Sequence, residues 1–229
     1  MTEQNNTKTQ GILFDLDGTL WDSSVQVVEA FNIVLAQQPD INRQITLQDM
    51  QSWMGLQMDE IGRRLLGGYD VDDAQIREIM RACETYEIEY LLQHGGCPYP
   101  GVREVLEELS RKYFLAIVSN CQKGYIEAFI DYYQLNEYIS DKESFGGTGL
   151  PKGENIRLVC ERNHLERAVY LGDIEGDYRS ACMAGIPFIH AAYGFGTISD
   201  PVPAIHSLRE LPEGLVLSRC KLVLYLAVE

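Results

Sequence analysis

The sequence lacks a hydrophobic run long enough to cross a membrane. Residues 1–10 are polar and contain nothing like the apolar stretch of a signal peptide. The apolar run near the C-terminus, residues 222–228, is far too short to span a bilayer. From these two absences we expect a cytoplasmic protein that does not associate with membranes.

Positive charge is scarce. The 229 residues include 19 lysines and arginines against 34 aspartates and glutamates, which gives a formal net charge of −15. Such a chain repels the phosphates of nucleic acids and the headgroups of anionic membranes. We therefore expect neither nucleic acid nor membrane among its partners.

The six cysteines form no C-x-x-C pair, and none of the four histidines is paired with a cysteine at metal-ligand spacing. These absences argue against a zinc motif and against a disulfide framework. Cysteines of this kind are typical of reduced, buried, small hydrophobic side chains.

Hydrophobic residues make up 45% of the chain and aromatic residues 10%, which is enough to fill a core and too much for a disordered protein. Short apolar runs bounded by turn residues are typical of strands buried on both faces. Four such runs cover residues 12–14, 114–118, 169–171 and 187–191, and segments of helical periodicity cover residues 101–112, 122–134, 153–163 and 176–184. This alternation predicts an α/β fold: a doubly wound parallel sheet with a Rossmann-like core.

The segment between the first two apolar runs has helical periodicity and no convincing strand. Its first helix is expected to be capped by Ser23 and Ser24 and to run through Gln37, and further helices are predicted over residues 46–54, 57–66 and 71–93. We therefore predict an inserted all-helical cap domain, residues 22–96, and a catalytic core of residues 1–21 and 97–229. Residues after Leu211 carry no pattern that decides between helix and strand.

Polar residues follow three of the predicted strands at the point where each strand ends. Asp15 and Asp17 follow the first, Ser119 and Asn120 the second, and Asp173 the third. Because the carboxyl ends of parallel strands form the ligand-binding edge of such a sheet, we expect these side chains to meet there.

A further aspartate, Asp177, lies one helical turn after Asp173 and on the same face. At least three carboxylates would then share one crevice, where their mutual repulsion requires a cation. A ligand set made only of oxygen atoms suits magnesium, so the sequence predicts Mg²⁺ as the cofactor.

Taken together, these residues resemble the signature motifs of the haloacid dehalogenase superfamily. The matching segments are, in order, Asp15-Leu16-Asp17-Gly18-Thr19-Leu20, Ser119, Lys152 and Gly172-Asp173-Ile174-Glu175-Gly176-Asp177. Three further segments resemble the phosphoglycolate-phosphatase-like branch: Asp22-Ser23, Tyr99-Pro100-Gly101 and Ala184-Gly185-Ile186-Pro187. The resemblance covers approximately residues 11–196, including the helical cap.

The resemblance implies phosphoryl transfer. Asp15 would be the nucleophile that forms an aspartyl-phosphate, and Asp17 would protonate the leaving oxygen and then activate water. Ser119 and Asn120 would donate hydrogen bonds to the phosphoryl oxygens. Lys152 would neutralise phosphate charge and hold Asp15 as a carboxylate.

The resemblance also assigns the metal ligands. Asp15 and Asp173 would bind Mg²⁺ directly, Asp17 would bind it through its backbone carbonyl, and Asp177 would bind directly or through water. The alternative for Asp177 is that it stabilises the N-terminus of its own helix.

The implied function is a magnesium-dependent phosphatase that acts on small phosphate monoesters of the phosphoglycolate or sugar phosphate type. Two activities of the family are excluded. Cleavage of a carbon–phosphorus bond through an imine needs a lysine in the cap, and the chain has none between Lys8 and Lys112. Dehalogenases lack the second aspartate of the first motif, which is present here as Asp17. A phosphosugar mutase and a non-catalytic binding or regulatory module remain as alternatives.

The cap is expected to select the substrate, with residues 53–56 and the pair Arg63-Arg64 as candidates. A guanidinium suits a substrate carboxylate or a second phosphate, although exposed arginines on helices are common. Trp53 and Met54 fit the core of the cap better than a binding role. The sequence predicts no oligomeric state.

Overall fold

The computed structural model describes residues 9–217 and 222–224. In chain order the strands are β1 (Gln10–Phe14), β2 (Trp21–Asp22), β3 (Cys97–Pro98), β4 (Phe114–Ser119), β5 (Asp141–Ser144), β6 (Arg167–Gly172), β7 (Phe188–Ala191), β8 (Ala204–Ile205), β9 (Leu215–Leu217) and β10 (Leu222–Leu224). The helices are α1 (Ser24–Leu35), α2 (Leu47–Trp53), α3 (Met58–Leu66), α4 (Asp73–His94), α5 (Val102–Ser110), α6 (Tyr125–Tyr132), α7 (Phe145–Thr148), α8 (Lys152–Arg162), α9 (Glu175–Ala184) and α10 (Leu211–Gly214).

One sheet organises the described part of the chain. Six parallel strands lie in the order β5-β4-β1-β6-β7-β8, so β1 is central and β4 and β6 flank it. The predicted doubly wound α/β fold is confirmed, and all four predicted strands belong to this sheet. The edge strands β5 and β8 were not predicted, because β5 is polar along its length and β8 has only two residues.

The alternation of side chains along β1 explains why helices cover both faces of the sheet. Ile12 and Phe14 belong to an apolar cluster that includes residues of α5 and α6, whereas Leu13 belongs to a cluster with residues of α8 and α9. Successive side chains of a strand point to opposite faces, so a strand buried on both sides has an uninterrupted apolar sequence.

The inserted helices α1 to α4 pack around their own apolar cluster, which includes Phe31, Trp53 and Leu65. Thr46 and Asp72 begin α2 and α4 with capping boxes, in which each side chain accepts a hydrogen bond from the backbone three residues later. The two chain segments that connect these helices to the sheet pair with each other as the antiparallel strands β2 and β3. The predicted domain boundaries stay a prediction, which the separate apolar cluster and this paired connection support.

Ser23 lies at the predicted N-cap position of α1, but its side chain makes no capping hydrogen bond. Its hydroxyl donates instead to the Asp17 carboxylate, 2.7 Å away. The Asp22 carboxylate, one residue before the N-cap, accepts hydrogen bonds from the backbone nitrogen of Ser24, at 2.9 Å, and from the Ser24 hydroxyl. The helix also ends at Leu35, two residues before the predicted end.

Within the described residues, no helix is both long and apolar enough to cross a bilayer. The segment after Leu211, left unassigned from the sequence, contains α10 and the antiparallel pair β9 and β10.

Candidate functional site

Three buried carboxylates meet at the carboxyl ends of β1 and β6. Asp15 directly follows β1, Asp173 directly follows β6, and Asp177 lies in the first turn of α9. One carboxylate oxygen from each of the three lies within 4.8 Å of the others. Their exposed fractions are 2%, 1% and 0% respectively, so solvent does little to screen their repulsion.

A single buried cation lies against this cluster. Lys152 is the first residue of α8, and its Nζ is 2.9 Å from Asp15 Oδ1 and 2.6 Å from Asp177 Oδ1. Burial alone would lower the pKa of Lys152, but the two carboxylates together outweigh it and raise that pKa. The lysine is therefore a fixed positive charge that holds the nucleophile candidate and Asp177 together.

The cluster keeps an excess of negative charge that one lysine does not offset. Burial, followed by the charge of Asp177, raises the pKa of Asp15 to about 6, against the lowering effect of Lys152. Burial, followed by the charges of Asp177 and Asp15, raises the pKa of Asp173 to about 8. A crowded set of hard oxygen donors that binds protons this readily is suited to a divalent cation.

Asp177 stabilises the start of its own helix and also lies within the carboxylate cluster. Its Oδ2 accepts hydrogen bonds from the backbone nitrogens of Asp173, at 3.0 Å, and Ile174, at 3.2 Å, which caps the start of α9. Its Oδ1 faces Lys152 within the carboxylate cluster. The two alternatives for this residue are therefore compatible with each other.

Two glycines allow the loops around the cluster to approach Asp173. Gly18 has a φ of +78°, and a Cβ at this position would overlap the Asp173 carboxylate. A Cβ on Gly194 would overlap the carbonyl oxygen of Gly18 and the Asp173 side chain. Any larger residue at either position would push Asp173 away from its neighbours.

Asp17 lies at the same edge, but its side chain is bound outside the three-carboxylate cluster. Its Oδ1 accepts hydrogen bonds from Ser23 Oγ, at 2.7 Å, and from Tyr125 Oη, at 3.0 Å. Burial is the main reason that its pKa rises to about 7, and the charge of Asp15 adds to this, although the hydrogen bonds from Ser23 and Tyr125 lower it. A carboxyl group with this pKa both gives and takes a proton near neutral pH.

Ser119, the last residue of β4, and Asn120, which follows it, differ in their surroundings. Ser119 is buried and lines a cavity that Asp17 also lines. Asn120 donates from Nδ2 to the backbone carbonyl of Gly55, 3.0 Å away, in the loop between α2 and α3. Its buried Oδ1 finds no hydrogen-bond partner within the described residues. Their role as phosphoryl donors stays a prediction, and Asn120 also connects the sheet to the inserted helices.

The cavity lies between the sheet edge and the inserted helices, and its volume is about 40 Å³. Residues 53–56, predicted to select the substrate, line it, although Trp53 also belongs to the apolar cluster of the inserted helices. Arg63 and Arg64 do not line it: Arg63 faces a separate groove, and Arg64 pairs with Glu60 at 2.5 Å on the exposed side of α3.

Sequence reasoning missed Glu87, Gln122 and Tyr125, which also line this cavity. Glu87 is 4% exposed, and its Oε2 accepts a hydrogen bond from Gln122 Nε2. Burial, and then the charge of Asp17, raises the pKa of Glu87 well above its usual value. One signal could have found it: Glu87 lies four residues after Cys83 and four before Leu91, on the otherwise apolar buried face of α4.

Known proteins match this chain along most of its length. The sequence profile of haloacid dehalogenase-like hydrolases matches residues 12–191. A phosphoglycolate phosphatase from Aliivibrio fischeri is 29% identical over 211 residues, which cover 86% of this chain and 91% of that protein. Another, from Pseudomonas fluorescens, is 26% identical over 218 residues, which cover 89% of this chain and 78% of that protein.

Solved structures match as well. A crystal structure from Haemophilus somnus, described as a predicted phosphoglycolate phosphatase, superposes with a TM-score of 0.76 at 21% identity. The match covers 92% of this chain and 99% of that one, and it is a likeness of fold.

Proposed function

We propose that this chain, which belongs to the haloacid dehalogenase-like hydrolase family, hydrolyses small phosphate monoesters through an aspartyl-phosphate on Asp15, with Mg²⁺ as cofactor. Its similarity to curated phosphatases shows that it is a phosphoric monoester hydrolase. The observation that carries this proposal is the buried contact of Lys152 with Asp15 inside a cluster of three carboxylates. In a purely structural ion pair, one carboxylate would be enough to pair with the lysine. Here three carboxylates surround one lysine, so the cluster keeps an excess of negative charge that a metal ion can offset.

The reaction follows from the positions of Asp15 and Asp17. Lys152 keeps Asp15 ionised, and a carboxylate oxygen of Asp15 attacks phosphorus while the bond from phosphorus to the leaving oxygen breaks. Asp17 gives its proton to that oxygen, so the leaving group departs as an alcohol. Water then attacks the phosphorus of the acyl phosphate and passes a proton to Asp17, which releases inorganic phosphate and restores both carboxyl groups.

The donor set fits a magnesium ion. Asp15 and Asp173 would hold it directly, Asp17 through its backbone carbonyl, and Asp177 directly or through water. When bound, Mg²⁺ supplies the positive charge that offsets the crowded carboxylates and the phosphoryl oxygens. Ser119 and Asn120 would donate hydrogen bonds to those oxygens, and Asn120 Nδ2 has a second N–H besides the one that it donates to Gly55.

Hydrolysis is favoured over the two alternatives carried from the sequence. The curated relatives are named phosphatases, which supports a hydrolase over a phosphosugar mutase. A non-catalytic module would have no need of the nucleophile, the acid–base carboxyl and the buried lysine, all of which the chain retains. A cytoplasmic location and the absence of nucleic-acid and membrane partners stay predictions.

We expect hydrolysis to depend on a divalent cation. Purified protein treated with a chelator should release no phosphate above background from a panel of phosphoglycolate, sugar phosphates and nucleotides, and added Mg²⁺ should restore the release. Phosphate release is the measurement, and a mock-treated sample that was never exposed to chelator is the control. Full activity after chelation would contradict the metal assignment, and no hydrolysis of any ester with Mg²⁺ present would favour the non-catalytic module.

The effect of Mg²⁺ on thermal stability should grow with pH. The folded-state pKa values of Asp15 and Asp173, about 6 and about 8, lie above that of an unfolded aspartate. The folded state therefore binds more protons than the unfolded state, and the metal-free protein loses stability as the pH rises through these values. Mg²⁺ binds the ionised carboxylates and offsets this loss.

The measurement is the melting temperature with and without Mg²⁺ on either side of the Asp173 pKa of about 8. We expect the larger increase on the alkaline side, and a smaller increase in an Asp173→Asn variant. An increase that is equal on both sides, or larger in acid, would contradict the assignment of these carboxylates as ligands.

A further inference from the structure

The cavity under the inserted helices is the place for the leaving group of the substrate. On the sheet side it is lined by Asp17 and Ser119, and in the proposed reaction Asp17 must reach the leaving oxygen. On the other side it is lined by residues of α1 to α4 and of the loop between α2 and α3. Its volume of about 40 Å³ has room for only a few groups the size of a water molecule. A short alcohol fits this space.

The described residues that line this cavity include no lysine and no arginine. The arginines of the inserted segment contact other groups or line other grooves. Arg43 donates to the backbone carbonyl of Leu65, at 3.2 Å, and lies over the Trp53 ring. Arg64 pairs with Glu60. Arg63 and Arg77 face one outer groove, and Arg81 faces another.

The nearest lysines do not supply a positive charge either. Lys123 follows Gln122 in the chain, but it is exposed and lines a neighbouring groove, which shares Asn120 and Gln122 with the cavity and also contains Asp59 and Glu84. Lys152 is held between Asp15 and Asp177, on the nucleophile side of the site.

Two carboxyl groups are among the described side chains that line the cavity. Asp17 is one, and Glu87, which reaches in from α4, is the other. Among the described residues, Glu87 has the amide of Gln122 as its hydrogen-bond partner and no basic side chain. Its raised pKa has the physical cause already given, burial and the charge of Asp17.

These surroundings discriminate by charge. A carboxylate or a second phosphate on the leaving group would be desolvated beside two carboxyl groups with no cation to offset it, which is costly. A hydroxyl group would find an acceptor in the Glu87 carboxyl. An ammonium group would favour the ionised form of the Glu87 carboxyl and pair with it, in a cavity that Phe31 and Trp53 also line.

We propose that Glu87 and the cation-free lining of this cavity restrict the enzyme to phosphate monoesters of short neutral or cationic alcohols and exclude leaving groups that carry a negative charge. This inference rests on the proposed function and narrows it. It also separates the chain from the activity in its relatives' names, because the leaving group of phosphoglycolate is an anion.

The test uses three phosphate esters of nearly equal size that differ in the charge of the leaving group. They are 2-phosphoglycolate, 2-hydroxyethyl phosphate and 2-aminoethyl phosphate, each assayed with the full-length wild-type protein and Mg²⁺. We expect kcat/KM for the hydroxyethyl and aminoethyl esters to exceed that for phosphoglycolate by at least about 10-fold, the effect of one poorly compensated charge. Phosphoglycolate turned over as well as or better than both others would overturn the inference.

A variant locates the effect at Glu87. Glu87→Gln keeps the shape of the side chain and can still bond to Gln122, but it cannot carry a charge. We expect it to lower kcat/KM for the aminoethyl ester relative to the hydroxyethyl ester. We also expect it to reduce the ratios by which kcat/KM for these two esters exceeds kcat/KM for phosphoglycolate. Glu89→Gln, an identical change at an exposed position of the same helix, should leave all three ratios unchanged. Equal ratios in the wild type and in a folded Glu87→Gln variant would contradict the role of Glu87.

The outcomes separate this inference from the function on which it rests. Hydrolysis of phosphoglycolate in preference to the other two esters leaves the phosphatase proposal intact and removes the charge selection. Failure to hydrolyse these three and every other ester of the panel removes both. The wild-type comparison needs no variant, so poor folding of Glu87→Gln does not prevent the decision.

Discussion

Asp15→Asn is expected to lower kcat by at least about 10³-fold, because asparagine cannot form the acyl phosphate on which the reaction depends. The substitution keeps the size of the side chain, and its amide oxygen can still accept the hydrogen bond from Lys152 Nζ, which lies 2.9 Å from Asp15 Oδ1 in the wild type. Circular dichroism and the melting temperature should therefore show a folded protein. The measurement is the initial rate of phosphate release with Mg²⁺ on the best substrate of the panel.

The matched control is Glu175→Gln. Glu175 follows Asp173 closely in the chain, but its carboxylate pairs with Arg179 outside the cluster, 3.2 Å away. The same change from carboxylate to amide should leave kcat near the wild-type value. Comparable activity in the Asp15→Asn and wild-type proteins would rule out Asp15 as the nucleophile.

Lys152→Met is expected to remove most of the activity and also to destabilise the fold by about 3 kcal/mol or more, since it leaves buried carboxylates without their countercharge. The lysine and its two partners are almost completely buried. The loss of stability should be smaller in acid. Without the lysine, the pKa of Asp15 rises further above its unfolded value, so the folded state is penalised only once the pH is high enough to ionise it.

Chemical denaturation of the metal-free protein at an acidic and an alkaline pH measures this effect. Lys142→Met is the matched control, because Lys142 is partly exposed and its nearest carboxylate, on Glu127, is 3.8 Å away. A surface pair of this kind contributes roughly 0–1 kcal/mol. If the two variants unfolded at the same denaturant concentration, Lys152 would not be the countercharge of the cluster.

Local sequence patterns were sufficient to predict four of the six strands of the sheet and the carboxylate cluster. The apolar runs that become β1, β4 and β6 each end at a polar residue, and parallel strands bring such residues to one edge whatever their distance in the chain. The placement of Asp15, Asp173 and Asp177 within one site is a consequence of this rule.

Contacts between the sheet and the inserted helices could not be predicted in the same way. Asn120 contacts Gly55, which is 65 residues away in the chain, and Gln122 contacts Glu87, which is 35 residues away. The periodicity of a sequence does not indicate which loop will face which helix. Ser23 carries the signature of a helix cap, but its hydroxyl donates to Asp17 because the turn between Asp17 and Trp21 brings the two together. Tertiary position overrode local preference at these residues.

The arginines show the limit of residue type as a guide to function. Arg63 and Arg64 are chemically suited to bind an anionic substrate, yet both lie on exposed positions of α3 away from the cavity. The ionisable side chain that lines the cavity from the described inserted helices is the carboxyl group of Glu87. The sequence offered Arg63 and Arg64 as candidate anion-binding residues or as ordinary exposed arginines, and the structure favours the second interpretation.

The most direct test of the proposed mechanism is chemical trapping of the phosphorylated nucleophile. Protein that turns over substrate with Mg²⁺ is quenched with borohydride, which reduces an aspartyl-phosphate to homoserine, and the digested peptides are sequenced by mass spectrometry. The account predicts homoserine at position 15, present only when substrate and Mg²⁺ are both supplied. Homoserine at another aspartate, or rapid turnover with position 15 unmodified, would contradict it.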